Sequence, residues 1–281
     1  MKFLGFSIFL FLFLMNDSFS MMRALNTAAS GMVAQDAQIS SISNNIANSN
    51  TTAYKRERAE FEDLQYQTII EAGARSDSNT MYQVGLQIGA GAKVSGVKNE
   101  FAEGSPIITN EPYDLMIQGD GFFGIMMPDG TLSYTRNGAF TVDYQGNLVT
   151  GKGYKVFPGI QFPPNSLYIG IADNGTVEVN VKNQKDPLNL GQIAIFTFIN
   201  QGGLKRIGGN LYRETRASGA PVQMVAGTEN AGSINQGTIE SSNVSTMTEM
   251  TRLIKAQRTF EMNSKVMGVA DQMLQTVNNI R

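Results

Sequence analysis

Cysteine, histidine and tryptophan are all absent from the 281 residues. Without cysteine there is no disulfide, no thiolate nucleophile and no thiolate-held metal. Without histidine there is no Ser-His-Asp arrangement, no imidazole ligand and no side chain that titrates near neutrality unaided. Carboxylate, lysine and tyrosine chemistry stay open, but no pair of acids is marked out for it. Charge is sparse too: Asp, Glu, Lys and Arg make up 16% of the chain, with a formal net charge of −2. Nucleic-acid binders carry a basic surplus, so that class is not expected. The sequence therefore predicts no catalytic residue, no cofactor, no metal, no nucleic acid and no small-molecule substrate.

What is present is apolar, glycine-rich and unevenly arranged. Residues 1–20, MKFLGFSIFLFLFLMNDSFS, stand apart from the rest. One charge (Lys2) precedes an apolar run from Phe3 to Met15, and Ser18 and Ser20 flank Phe19 in a small-x-small pattern. This is the composition of a secretory leader. The alternative is a start at Met21 or Met22 with the upstream stretch not translated.

From Met22 the apolar residues keep a 3,4 rhythm: Leu25, Ala28, Met32, Ile39, Ile42 and Ile46, with Gln35 the polar member. That spacing predicts one long helix with a narrow seam. Ser30-Gly31 lowers its propensity; small residues there either permit close approach of a neighbour or are simply tolerated. Asn44, Asn45, Asn48 and Asn50, then Thr51, load the helix end with residues that turn the chain or enter the left-handed region. The helix is expected to stop near Asn48 to Asn50. Tyr54, Lys55, Arg56, Glu57 and Arg58 then read as the start of a new, exposed segment. Residues 51–99 are an extended, loop-rich connector with short strands such as Lys93 to Val97.

Residues 100–235 read as an all-β domain. Short β-like runs fall at 114–118, 122–127, 132–135, 139–142, 148–150, 154–157, 167–171, 176–181 and 192–199. Turn signals separate many of them, among them Pro128-Asp129-Gly130, Asn137-Gly138, Gln145-Gly146-Asn147 and Asp173-Asn174-Gly175. The stretch TVEVNV at 176–181 alternates, so one face should be buried. Two glycine motifs look like chemistry and are read as turns. Gly119-Asp120-Gly121-Phe122-Phe123-Gly124 fits a dinucleotide fingerprint, but a hairpin rather than a helix follows it. Gly146 to Gly153 approaches a phosphate loop, yet Gly153 stands where a magnesium-binding Ser or Thr is needed.

Residues 236–281 return to helix. Leu253, Ala256, Phe260, Met267, Ala270, Leu274 and Val277 repeat the 3,4 rhythm, with Asn263 the polar exception. Asn243 or Ser245 is placed to cap its start. Arg252, Lys255 and Arg258 form a basic row, read as a solvated face. Isolated helices of this kind are marginal in water and must pack on something. Narrow seams at both chain ends favour helix on helix. Flanking apolar residues, such as Val33, Val266, Met273 and Ile280, would stay uncovered in a two-helix hairpin, which points to repeated subunits. The predicted class is α+β: N- and C-terminal helices pairing as a coiled-coil-like layer, with an all-β middle domain. Its segments are 1–20 (leader or upstream stretch), 21–50 (axial helix), 51–99 (connector), 100–235 (β domain) and 236–281 (axial helix).

Long, ordered stretches resemble one family. MMRALNTAASGMVAQDAQISSISNNIANSNTTAYKRERAEFEDL, DLMIQGDGFFGI, YTRNGAFTVDYQGNLVT, LGQIAIFTFIN and the terminal ESSNVSTMTEMTRLIKAQRTFEMNSKVMGVADQMLQTVNNIR are similar to bacterial flagellar axial proteins. These are the rod and hook subunits, and the likeness is greatest to those of the distal rod. It covers Met21 to Arg281. It implies a structural subunit that stacks helically into a hollow drive shaft carrying torque to the hook. It also implies pairing of the terminal helices into an inner tube, export from the cytoplasm by the flagellar type III route, and a place in the periplasmic rod of the basal body. The implied partners are further copies of the chain, neighbouring proximal rod and hook-side axial proteins, and the surrounding basal-body rings. Leu25, Met32, Ile39, Ile42, Ile46, Leu253, Phe260, Met267, Leu274 and Val277 become the expected assembly seam. Asn44, Asn45, Asn48, Asn50, Thr51, Tyr54 and Lys55 form the family signature at the helix end. Family members lack such a leader, which favours the start at Met21 or Met22. The competing readings are a proximal rod or hook subunit, and a carboxylate-based glycan hydrolase.

Overall fold

Two helices bracket a run of strands in the computed structural model, which describes residues 2–77, 80–164, 166–182, 186–228 and 230–279. Helix α1 spans Lys2–Ala47 and helix α2 spans Thr246–Asn279. The strands lie between them, so the α+β reading with a mostly β middle holds. Both helices are free of proline, and α1 ends within the asparagine cluster: Asn44 and Asn45 are still helical, and Asn48 to Asn50 form a turn in which the Ser49 amide donates to the Ile46 carbonyl. Helix α2 starts one residue after Ser245, with Glu249 in its first turn.

The chain divides into two units. The first comprises residues 1–44, 57–98 and 247–281. Besides the two helices it holds three two-stranded ribbons. Glu57–Asp63 pairs with Ala92–Asn99, Gln67–Ile70 with Leu86–Ile88, and Arg75–Asp77 with Thr80–Met81. The stretch read as a loop-rich connector is thus largely paired strand. These strands are short or mostly exposed, so no period-2 pattern announces them, and the first ribbon joins stretches far apart in the chain.

The second unit comprises residues 45–56 and 99–246. A nine-stranded sheet organises it, with Phe122–Met126 at its centre. That strand pairs with Leu132–Thr135, Lys155–Val156 and Ala194–Thr197. Alternation along it serves two cores. Phe123 and Ile125 join Leu115, Ile117, Val177, Val179, Ile193, Ile195 and Ile234 in the larger one. Phe122 turns to the other side into a cluster with Tyr134, Phe196, Phe198 and Tyr212, where it meets Phe198 (5.7 Å between centroids) and Tyr212 (5.9 Å) edge to face, and Tyr134 meets Phe196 (5.3 Å) and Phe198 (4.8 Å) in the same way. Gly124 is required there: a Cβ would lie 2.5 Å from the Phe196 ring. Each large apolar side chain so buried contributes roughly 1.5–3 kcal/mol, which makes this sheet the stable centre of its unit.

The turn signals do what their chemistry predicts. Asp129 Oδ1 accepts from the Thr131 amide (3.0 Å), Asn137 Oδ1 from the Ala139 amide (3.1 Å) and Asn174 Oδ1 from the Thr176 amide (2.9 Å). In the strand Thr176–Val181, Val177 and Val179 are buried while Glu178 and Asn180 face water. After Gly119 and Gly121, both at positive φ, comes the strand Phe122–Met126 and not a helix.

Candidate functional site: helix seams and the segment after the first helix

The seam residues of α1 sit as the 3,4 rhythm predicts. Ile42 is buried, and Leu25, Met32, Ile39 and Ile46 are half-buried. In α2, Leu253, Met267 and Leu274 are half-buried and Phe260 lies at the edge of exposure. Val277 falls within α2, and its side chain, like Ile280, is outside the described residues. Alanines are among the buried positions of both helices, Ala28 and Ala34 in α1 and Ala256 and Ala270 in α2, beside Ser41, Ile42 and Asn45 in α1 and Glu249 in α2. Small side chains let helices approach closely, and one such approach is explicit. A Cβ added to Gly31 would lie 2.9 Å from the Asn263 amide nitrogen. Gly31 and Asn263, each an irregularity of its helix, therefore meet each other.

The other side of α2 is also apolar. Met250, Ile254, Met262, Val266, Val269 and Met273 are all about half exposed or more. At 100° per residue Ile254 and Val269 lie on the side opposite the seam, Met250 and Met262 about 120° from its centre, and Val266 and Met273 flank it. Val33 of α1 is likewise exposed.

Residues 45–56 are built into the second unit. Asn45 is fully buried and accepts a hydrogen bond from the Tyr54 hydroxyl (3.2 Å). Thr51 Oγ1 donates to Asn48 Oδ1 (3.1 Å), which closes the turn, while Asn50 faces water. Asn44 Nδ2 donates to Glu57 Oε2 (3.2 Å) within the first unit. Ala53 is buried at φ 54°, a left-handed conformation that costs a non-glycine residue about 1–2 kcal/mol.

The expectation that Tyr54 and Lys55 begin an exposed segment is overturned. Tyr54 is buried with the Arg206 guanidinium 5.0 Å from its ring centroid, and Lys55 is 0% exposed. Local sequence hid this because the partners are remote. Lys55 Nζ donates to Glu240 Oε1 (2.6 Å) and to the Ala102 carbonyl (2.8 Å). Glu240 Oε1 also accepts from the Gly104 amide (2.8 Å), and Glu240 Oε2 from Arg136 Nε (3.1 Å). Arg136 in turn donates to the carbonyls of Gly119 (2.6 Å), Gly121 (2.9 Å) and Ile117 (3.2 Å). Two buried cations thus share one buried carboxylate. Burial pulls the Lys55 ammonium below its ordinary 10.5, with Arg136 adding to the fall and Glu240 opposing it. Asn243, a candidate helix cap by sequence, does something else: its Oδ1 accepts from the Arg56 amide (2.8 Å) and its Nδ2 donates to the carbonyls of Glu100 and Ala102. Glu240, Arg136 and Gly104 were not legible as functional positions; nothing at their sequence positions separates them from surface residues and a turn glycine.

Three family models match the chain. The model described as flagella basal body rod protein matches residues 25–55, the flagellar hook protein FlgE/F/G D1 domain matches 116–179, and the flagellar basal body rod FlgEFG protein C-terminal matches 235–280. The flagellar basal-body rod protein FlgG of Caulobacter vibrioides is 48% identical over 261 residues, 92% of this chain and 100% of its own. That of Borreliella burgdorferi is 46% identical over 263 residues, 93% of this chain and 99% of its own. The Bacillus subtilis protein of the same name is 38% identical over 269 residues, 93% of this chain and all of its own. The chain belongs to the FlgG family of flagellar basal-body rod proteins. The first of the three models ends on the segment that carries Lys55, and the third takes in Glu240 and Asn243. The family's basal-body setting therefore applies to both helices and to the buried junction.

Proposed function

We propose that this chain is a structural subunit of the distal rod of the bacterial flagellar basal body. It polymerises helically into a hollow shaft that transmits torque to the hook. The observation that carries this reading is the full-length similarity to proteins named for the basal-body rod, at 38–48% identity. Those relatives are named as rod components and for no catalytic activity.

In this reading α1 and α2 pair as a coiled-coil-like layer, with the helical parts of residues 21–50 and 236–281 as the axial segments and 100–235 as the β domain. The contact of Gly31 with Asn263 and the buried alanines of both seams support the pairing. Leu25, Met32, Ile39, Ile42, Ile46, Leu253, Phe260, Met267, Leu274 and Val277 form the inner assembly seam. The exposed apolar side of α2 is left for neighbouring copies, because one partner helix covers only one stripe. Proximal rod and hook-side proteins adjoin the polymer's ends, the basal-body rings surround it, and the subunit works in the periplasm after export.

The test is position along isolated basal bodies. An epitope placed in an exposed turn of the β unit, at Tyr144, is expected to label the rod segment next to the hook. Label on the hook itself, or only at the membrane-proximal end, overturns the distal assignment in favour of a sibling axial subunit.

A further inference from the structure

We propose that residues 45–56 act as a latch on the second unit, one that closes and opens as a cooperative piece and that Lys55 holds shut. The inference does not rest on the rod reading; it concerns the single subunit in solution.

Four kinds of contact fasten the segment. The Ala53 amide donates to the Glu240 carbonyl (2.8 Å) and the Arg56 amide to Asn243 Oδ1 (2.8 Å). Asn210 Nδ2 donates to the Thr52 carbonyl (2.8 Å), and Arg206 Nη2 donates to the Lys55 carbonyl. The Lys55 ammonium reaches through to Glu240 and the Ala102 carbonyl, and Tyr54 lies under Arg206. Against these stands the left-handed backbone at Ala53, a strain that persists only while the surroundings hold it. A segment held by polar contacts at fixed points, with strain at its middle, releases as a whole once the fixed points fail.

The charge pattern says which residue controls it. Arg136 binds three carbonyls of the second unit besides Glu240, so it belongs to the body of that unit. Glu240 keeps Arg136 and the Gly104 amide whether or not Lys55 is present. Removal of the Lys55 ammonium would therefore leave a neutral, hydrogen-bonded Glu240–Arg136 pair and an intact β unit, but a segment without its anchor. Removing a buried charge whose partner stays satisfied is the mild case; stranding a buried charge is the severe one. Lys55 is thus separable from the fold, and Arg136 is not.

The experiment is hydrogen exchange on the full chain at a concentration where it is monomeric, comparing wild type with Lys55→Met. The amides of Ala53 and Arg56 are expected to exchange about a hundredfold faster in the variant, with amides of the strands Phe122–Met126 and Ala194–Thr197 unchanged. Arg206→Met, which cuts the bond to the Lys55 carbonyl outside the buried charge cluster, should open the same two amides to a smaller extent. Unchanged exchange at Ala53 and Arg56 in both variants overturns the latch. So does a loss of protection spread evenly over those strands, since Lys55 would then be an ordinary part of the unit's global stability. Failure to polymerise, with the expected exchange pattern present, would count against the rod reading and leave the latch standing.

Discussion

Two residues show opposite costs of taking a titratable group out of water. Tyr134 is buried among aromatic rings, and desolvation first, then the charge of Glu214, pushes its phenol up to about 12. The unfolded phenol titrates at 10, so its ionisation favours the unfolded chain from there upward. Stability is whole below pH 10 and falls as pH rises through about 12. Tyr134→Phe should remove up to about 2–3 kcal/mol of that alkaline loss, read as the difference in denaturant midpoint between wild type and variant across pH 9–12. Lys55 works in the other direction. Its folded value lies below 10.5 because burial outweighs Glu240, so the full cost of the buried cation is felt at lower pH. That cost lifts as pH rises from the lowered value toward 10.5, and Lys55→Met should abolish the rise. Arg136 is the residue whose loss is expected to be severe. Arg136→Met strips Glu240 of one partner and three carbonyls of their donor, and should cost about 3–5 kcal/mol in urea unfolding at unchanged slope.

At the scale of elements, small residues recur among the buried positions of the two helices. Alanine at 28, 34, 256 and 270 keeps those buried side chains small. Glycine at 31 goes further, since even a Cβ would press on the Asn263 amide. Alanine at 31 would gain up to about 1 kcal/mol of helix propensity, and the flexible end of Asn263 can swing away, so Gly31→Ala should be nearly neutral. Gly31→Leu cannot be relieved in that way and should cost about 1–3 kcal/mol of helix protection, with partial rescue by Asn263→Gly. Exchange of the amides of residues 22–44 is the readout. The rhythm of both seams was legible because period 3.6 is written in consecutive residues. The ribbons at 57–99 were not, because their strands are short or mostly exposed and the outermost pairing, Glu57–Asp63 with Ala92–Asn99, joins distant stretches. The strands Lys205–Gly208 to Thr238–Glu240 were missed for a related reason: each has three or four residues, too few for a period to show.

On the scale of the whole molecule, exposed apolar surface and assembly belong together. Met250, Ile254, Met262, Val266, Val269 and Met273 remain uncovered on α2, and rod formation is what would cover them. Ile254→Lys with Val269→Lys is expected to leave monomer stability within about 0.5 kcal/mol of wild type, because neither side chain is buried in the single chain. The same pair should abolish polymers in sedimentation and electron microscopy. Polymerisation at the wild-type concentration would remove the far side of α2 from the assembly surface.

Composition, rhythm and ordered motif are properties of the chain taken in order, and they determined much of this protein unaided. They set the helix–strand–helix sequence, the turn positions, the seams and the end of α1 at the asparagines. They also carried the family, because long runs of residues in register specify it. The tertiary structure alone decided what Lys55 is for. In sequence it opens a charged stretch, YKRER, that reads as solvated. In the fold it is shut away against Glu240, 185 residues distant, with Arg136 on the far side of the same carboxylate. Burial of a charge depends on which remote groups arrive to satisfy it, and no local pattern records their arrival.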